Sequence, residues 1–149
     1  MSQGRRIGEL LRAAGLITEG QLVEALHEQQ RAGGRLGELL MKRGLVTELQ
    51  VTQILSNQLS VAWVSLPRVD FSEELLILVP VEIAEQYTLI PVHFRVGEQR
   101  QKILYVAMDD PTDVAAMEHV SRITGMHVRP LIAPPSEIRR QIQSRYRLR

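Results

Sequence analysis

Cysteine is absent from this sequence of 149 residues, and aromatic residues make up only 4% of it. Without cysteine there are no disulfides and no thiol nucleophile, and the redox compartment is left open. The longest nearly apolar run, Leu75 to Val81, is far too short to span a membrane and contains Pro80. Residues 1–10 also lack the apolar region of a signal sequence. We therefore expect a cytoplasmic location and no transmembrane segment.

An excess of charge of either sign is also lacking. The formal net charge is +1, with 44% hydrophobic and 23% charged residues, as in ordinary soluble globular proteins. Such a chain has no overall field that would attract DNA, RNA or an anionic membrane. A Walker A motif and a Gly-x-Ser-x-Gly elbow are missing, and the four histidines lack the spacing of a zinc pair. We expect no enzymatic activity, no metal and no cofactor.

An internal repeat is the main positive signal. The unit Arg6–Gln29 recurs as Arg35–Gln58 at a constant step along the chain, with a five-residue spacer between the two copies. A repeat indicates duplicated supersecondary structure. The sequence of each unit predicts two helices that are connected by a tight turn.

The turn between the two helices of each unit is predicted from the residues that end the first helix and cap the second. Gly8–Ala14 is predicted as a short helix that Gly15 ends in the left-handed conformation. Thr18 then starts a longer helix, and Gln21 completes a capping box with it. The second unit has the same three residues at the same places: Gly44, Thr47 and Gln50.

Three residues of each long helix fall on one stripe, because they are separated by four and three positions. They are Leu22, Leu26 and Gln29 in the first unit, and Val51, Leu55 and Gln58 in the second. Core packing explains the aliphatic members of such a stripe. It does not require a Gln at the end of both stripes, or an Arg at the head of both units.

Arg and Gln are suited to a planar polar ligand. The Arg fork matches the O6 and N7 atoms of guanine or two phosphate oxygens, and Gln donates and accepts at once. The Gly after each Arg-aliphatic pair lets a ligand approach the backbone. A ligand with two bases and two phosphates would use both units.

These doubled residues resemble the cyclic di-GMP-binding MshEN domain, the N-terminal domain of many type II secretion and type IV pilus assembly ATPases. The resemblance covers Arg6–Gln58 through its length and spacing. It implies that the two arginines engage guanine and phosphate, that the glutamines hydrogen-bond the ligand, and that the aliphatic residues lie under the bases. Ile7 and Val51 stand where Leu is usual, and we expect modest effects on fit from them.

The resemblance also implies contacts from outside the two motifs. Arg5 is a second contact, with a solvated surface role as its alternative, and Asp109 or Asp110 closes over the ligand or orients an arginine. The predicted ligand residues are Arg5, Arg6, Ile7, Gly8, Leu22, Leu26, Gln29, Arg35, Leu36, Gly37, Val51, Leu55, Gln58 and Asp109.

The second half has a different pattern. Val61–Leu66 resembles a strand that stops at Pro67, and the acidic run Asp109–Asp113 favours an Asp cap followed by Pro over a metal loop. The other predicted elements are a helix over Pro80–Gln86, a hairpin of Leu89–Val96 and Lys102–Met108, a helix to Thr124 ended by Gly125, a strand over Val128–Ile132 and a final helix over Ser136–Tyr146. The segments around Leu89–Val92, Val106–Asp113 and Thr124-Gly125 are similar to the same family.

The predicted fold is α+β. An N-terminal helical subdomain of two repeated helix-turn-helix units (residues 1–60) is followed by a connector (61–79) and a small α/β subdomain with a short sheet (80–149). The predicted function is cyclic di-GMP binding by a regulatory domain of secretion or pilus machinery, with an ATPase or an inner-membrane platform protein as partner. The alternative is an interaction module that docks to that platform or ATPase without nucleotide. Peripheral attachment at the inner membrane is compatible with either function.

Overall fold

A computed structural model of the chain describes the backbone of residues 3–146 and the side chains of residues 6–146. Its contacts divide the chain into two compact units, Met1–Ser60 and Val61–Arg149. The first unit is helical, and the second combines helices with a three-stranded sheet. The architecture is therefore α+β, as the sequence predicts.

The first unit is built from two helix-turn-helix pairs. Its helices are α1 (Gln3–Ala13), α2 (Glu19–Ala32), α3 (Leu36–Lys42) and α4 (Glu48–Leu59). Helix α1 contacts each of the other three helices. The large side chains that are fully buried in this unit are Leu11, Leu22, Leu36, Leu40 and Leu55.

Both turns have the predicted geometry. Gly15 and Gly44 adopt φ angles of 81° and 75°, a region in which a side chain would be strained. The Thr18 hydroxyl accepts from the Gln21 amide at 3.1 Å, while the Gln21 side chain accepts from the Thr18 amide at 2.9 Å. The second capping box has the same two distances. The two long helices thus begin in the same way.

The two short helices begin differently, which the repeat does not predict. The first was expected over Gly8–Ala14, but α1 extends from Gln3 to Ala13, so Arg6 lies inside a helix. Helix α3 begins at Leu36, and Arg35 is its N-cap with extended backbone angles (φ −93°, ψ 137°). Gly33 and Gly34, with φ angles of 76° and 95°, precede α3 and prevent an equivalent extension.

In its described residues, up to Tyr146, the second unit contains a short 3₁₀ turn, four helices and three strands. These are the turn Leu66–Arg68, α5 (Glu73–Leu76), α6 (Val81–Tyr87), β1 (Leu89–Val96), β2 (Lys102–Met108), α7 (Val114–Thr124), β3 (His127–Ile132) and α8 (Pro135–Tyr146). The sheet order is β1-β2-β3. Strands β1 and β2 form the antiparallel hairpin at the predicted bounds, and β3 lies parallel to β2 after the α7 crossover.

Residues 61–79, interpreted from the sequence as a connector, are packed within the second unit. The strand expected over Val61–Leu66 is reduced to an isolated bridge between Trp63 and Ile132. The Ser72 hydroxyl caps α5, a helix that the sequence interpretation did not include. The residues of this segment that lie in the core of the second unit are Leu66, Leu75, Leu76 and Val79. The apolar run thus contributes Leu75, Leu76 and Val79 to the core, whereas Ile77 is exposed.

The acidic run after β2 caps a helix, although not with the aspartate that precedes Pro111. Asp113 is the N-cap of α7, and its carboxylate accepts from the Ala116 amide at 3.0 Å. Asp110 is buried and accepts from the amide and the hydroxyl of Thr112. Pro111 thus lies in the turn before the helix instead of at the first helical position.

Candidate ligand site in the helical repeat

The two motif arginines have different backbone settings. Arg6 is exposed on α1, whereas Arg35 is half-buried at the N-cap of α3. Both side chains belong to the first unit, and both are accessible in part to a solvent-borne ligand. The sequence repeat is therefore not a strict structural repeat at the two residues that are predicted to grip guanine or phosphate. The side chain of Arg5 lies outside the described residues.

The two motif glycines differ in the space beside them. A Cβ atom on Gly8 would lie 2.3 Å from Leu22 Cδ1 and 2.9 Å from Leu36 Cδ2, so Gly8 permits close packing of α1 against α2 and α3. A Cβ atom on Gly37 would meet no atom within 4 Å. Of the two, Gly37 alone has open space at which a ligand could approach the backbone. Packing accounts for Gly8.

The aliphatic members of the motifs are mostly core residues. Ile7 and Leu36, which follow the arginines, are buried. The buried stripe residues are Leu22, Val51 and Leu55. Leu26 is half-buried, unlike its counterpart Leu55, and it is the aliphatic stripe residue with side-chain surface available to a ligand. Core packing, the alternative interpretation of the stripe, thus describes Leu22, Val51 and Leu55.

The two motif glutamines are also unequal. The Gln29 side chain donates from Nε2 to the Gly34 carbonyl at 3.0 Å, and so ties the end of α2 to the spacer. Gln58 is exposed near the end of α4. The hydrogen bond to the spacer therefore gives Gln29 a structural role within the first unit. Gln58 is the motif glutamine whose side chain is exposed to solvent.

Asp109 lies in the second unit, directly after β2, and is half-buried. Its neighbour Asp110 is engaged with Thr112. Of the two aspartates that the sequence left open, Asp109 is thus the more accessible. The remaining predicted residues, Arg5 aside, all lie in the first unit.

A groove on the first unit has a different lining from the one predicted. Its volume is about 450 Å³, and its lining residues are Glu24, His27, Gln30, Arg31 and Arg43. Arg43 hydrogen-bonds Glu28 at 2.5 Å and Glu24 at 3.3 Å. The hydrogen bond from Arg43 lowers the pKa of the Glu28 carboxyl, and that carboxylate raises the pKa of Arg43. The spacing of Glu24 and Glu28, four residues apart on one face of α2, is the sequence feature that indicates a binding site for a cation such as the Arg43 side chain.

Metal sites and membrane spans have no counterpart among the described residues. Within the described side chains, no group of three or more His, Asp or Glu residues is arranged to hold a metal ion. None of the helices in the described part of the chain has the length and apolar character needed to cross a membrane.

Solved structures share this fold. The N-terminal domain of XpsE superposes with a TM-score of 0.74 at 24% identity, covering 96% of this chain and 95% of that one. A structure of MshE with cyclic di-GMP superposes with a TM-score of 0.71 at 27% identity, covering 93% of this chain and 96% of that one. The fold thus defines an α+β domain of the class to which the N-terminal domain of XpsE belongs.

The family follows from the sequence of the second unit. The model of the MshEN domain matches residues 59–149, and the chain belongs to the MshEN domain family. The matched range begins at the last residue of α4, so the tandem repeat lies entirely outside it.

Longer relatives match across both units. The type IV pilus assembly ATPase PilB of Myxococcus xanthus is 36% identical over 141 residues, which are 95% of this chain and 24% of that protein. The PilB of Thermus thermophilus is 32% identical over 126 residues, which are 85% of this chain and 14% of that protein. The chain therefore spans about a quarter or less of the length of the curated relatives that it matches.

Proposed function

We propose that this chain binds cyclic di-GMP through its two tandem 24-residue motifs and acts as a regulatory domain of secretion or pilus-type machinery. The observation that carries the proposal is the doubled motif. It occurs in a chain of the MshEN family whose fold is similar to that of MshE, a protein solved with that nucleotide. A cofactor other than this ligand has no part in the proposal. Its role is regulatory, not catalytic.

The accessible motif residues supply the polar contacts. Arg6 and Gln58 are exposed, Arg35 and Leu26 are half-buried, and Gly37 has open space beside its backbone. Guanidinium groups bind guanine edges and phosphates, and an amide side chain completes a base edge. The buried motif residues, including Gly8 and Leu22, hold the helices that carry these groups.

Regulation would follow from a population shift. A ligand that binds one arrangement of the two helix pairs more tightly than another raises the population of that arrangement. The proposed partners that respond to this change are the ATPase portion of a longer protein and an inner-membrane platform protein. The proposed location is cytoplasmic, at the inner face of that membrane.

The direct test is a calorimetric titration of the 149-residue chain with cyclic di-GMP, with GTP and cyclic di-AMP as controls. Arg6→Ala and Gln58→Ala should each weaken binding, Arg6→Ala by about 1–3 kcal/mol if the fork grips guanine as arginines do in nucleic acid complexes. Both residues are exposed, so melting without ligand should not change.

Arg12→Ala is the matched control, because Arg12 is an exposed arginine of the same helix that is not among the predicted ligand residues. It should leave the affinity unchanged. Absence of saturable binding, or equal loss of affinity in Arg6→Ala and Arg12→Ala, would refute the proposed site. The repeat would then serve as a helical scaffold for protein contacts.

A further inference from the structure

The exposed end of the sheet in the second unit carries cations and aromatic rings on one face. Residues opposite each other on neighbouring strands point to the same side, and the pairs His93↔Tyr105↔Arg129 and Arg95↔Ile103↔His127 therefore share one face. We call this surface the basic sheet face, and define it by His93, Arg95, Tyr105, His127 and Arg129. Tyr105 is half-buried, and the other four residues are exposed.

Arg95 is held in place on this face. Its Nε atom donates to the Tyr105 hydroxyl at 3.2 Å, and its guanidinium carbon lies 5.8 Å from the centre of the Tyr105 ring. The ring of His93 lies 5.8 Å from the same ring, tilted by 36°. Because Arg95 donates this hydrogen bond from Nε, its two terminal NH₂ groups are left for a carboxylate. An arginine positioned in advance loses less conformational entropy on binding.

Arg129 lies beside Tyr105 on the next strand and completes a shallow cavity with Arg95. The cavity has a volume of about 340 Å³ and is closed on one side by the hairpin turn from Gly97 to Gln101. Ile103 also lines the cavity and is only 2% exposed. Glu98 is the one carboxylate among the lining residues. Neither arginine has an ion pair with another described residue.

We propose that the basic sheet face is a docking surface for an acidic polypeptide segment. Charge complementarity carries this assignment, since the face is cationic in a chain whose formal net charge is only +1. The two arginines stand on outer strands and two residues out of register, so their backbones are separated by about 12 Å. That separation suits carboxylates spaced along a peptide better than a single phosphate group. The half-buried tyrosine ring adds contact area for the peptide.

This inference does not rest on the proposed function, because the basic sheet face shares no residue with the tandem repeat. Tyr105 is a positioning residue in it: the hydroxyl orients Arg95 and does not itself need to touch the partner. Tyr105→Phe should therefore weaken docking, because it removes the hydrogen bond that orients Arg95 and leaves the guanidinium group and the aromatic ring present. Removal of a surface hydroxyl alone, without this role, would leave the affinity unchanged.

The test is fluorescence anisotropy with a labelled oligoglutamate peptide and the full 149-residue chain, with an oligolysine of equal length for comparison. Oligoglutamate should bind, oligolysine should not, and added salt should weaken binding. Arg129→Glu should reduce the affinity at least about tenfold, because it puts a like charge against the peptide. Arg122→Glu is the matched control: it makes the same charge change at an exposed residue of α7 and should alter the affinity less than about twofold.

Equal effects of Arg129→Glu and Arg122→Glu would overturn the proposal, since binding would then depend on net charge alone. Binding of pyrophosphate and of vesicles that contain an anionic phospholipid is measured in separate experiments. Binding of either that depends on Arg129 while oligoglutamate fails to bind would also overturn it, in favour of a phosphate ligand. Titration of Arg129→Glu with cyclic di-GMP should give the same affinity as the unmodified chain, which separates failure here from failure of the repeat site.

Discussion

Glycines at equivalent places in the two repeat units serve different purposes. Gly8 is enclosed by leucine side chains of two other helices, whereas Gly37 faces open space in its own unit. Glycine thus allows close helix packing in the first unit and leaves the backbone accessible in the second. Sequence spacing alone assigns both the same role.

Alanine substitutions separate these roles. Gly8→Ala should lower the free energy of unfolding by about 1–3 kcal/mol, because the added methyl overlaps two buried leucines. Gly37→Ala should leave it unchanged or raise it by up to about 1 kcal/mol, because alanine favours the helix and the site has room. Urea denaturation of both variants gives the comparison. A larger loss of stability from Gly37→Ala than from Gly8→Ala would contradict this assignment.

Single residues also limit what the repeat predicts about the ligand site. The motif places Arg6 and Arg35 at corresponding positions, but the helix around Arg6 begins upstream while glycines stop the same extension before Arg35. The stripe residues Leu22 and Leu55 could have faced a ligand or the core, since periodicity selects a face without saying what covers it. Burial places both in the core.

Elements with strong local signals were predicted well. The hairpin of β1 and β2 has the expected bounds, because two β-prone runs flank a polar turn that contains Gly97. Helix α7 ends at Thr124 before Gly125. The φ angle of Gly125 is 71°, a conformation that is sterically unfavourable for a residue with a Cβ atom. Helix α5 was missed because four residues carry too little periodicity to be recognised.

The capping boxes give an element-scale prediction. Thr18→Ala and Thr47→Ala should each cost about 1 kcal/mol of stability, because each removes the acceptor for an amide at the first turn of a long helix. The two losses should be equal within error, since the hydrogen-bond distances are the same in both boxes.

Urea denaturation followed by circular dichroism measures both losses. Gln30→Ala provides the control, because Gln30 is an exposed residue inside α2 and its replacement should change stability by less than about 0.5 kcal/mol. A loss in only one of the two threonine variants would mean that the long helices of the two units do not depend on their caps to the same extent.

At the scale of the whole molecule, the chain divides after Ser60, and the family match covers the second unit with its preceding two residues. The core cluster of that unit is drawn from within it, from Leu66 to Tyr146. The Tyr146 hydroxyl donates to the carbonyls of Leu76 and Val79 at 3.3 Å and 2.9 Å, which joins α8 to the segment before α6. The second unit thus has the internal contacts of an independent domain.

Two fragments test where that domain begins. Residues 61–149 should fold alone and unfold cooperatively, because they contain the whole core cluster. Residues 80–149, which begin where the sequence alone placed the subdomain, should fail to fold. This shorter fragment lacks Leu66, Leu75 and Leu76, and it leaves the Tyr146 hydroxyl without its two acceptors. Removing one large core side chain costs about 2–5 kcal/mol, so losing several exceeds the stability of a small domain.

Amide dispersion in NMR spectra and the cooperativity of thermal unfolding distinguish the two fragments. The fragment 61–149 should also keep the oligoglutamate affinity of the full chain, since the basic sheet face lies within it, and should show no binding of cyclic di-GMP by the repeat. A folded 80–149 fragment would show that residues 61–79 are a connector after all. An unfolded 61–149 fragment would mean that the second unit requires the helical repeat for stability, and that ligand binding at the repeat could then be transmitted through folding of its neighbour.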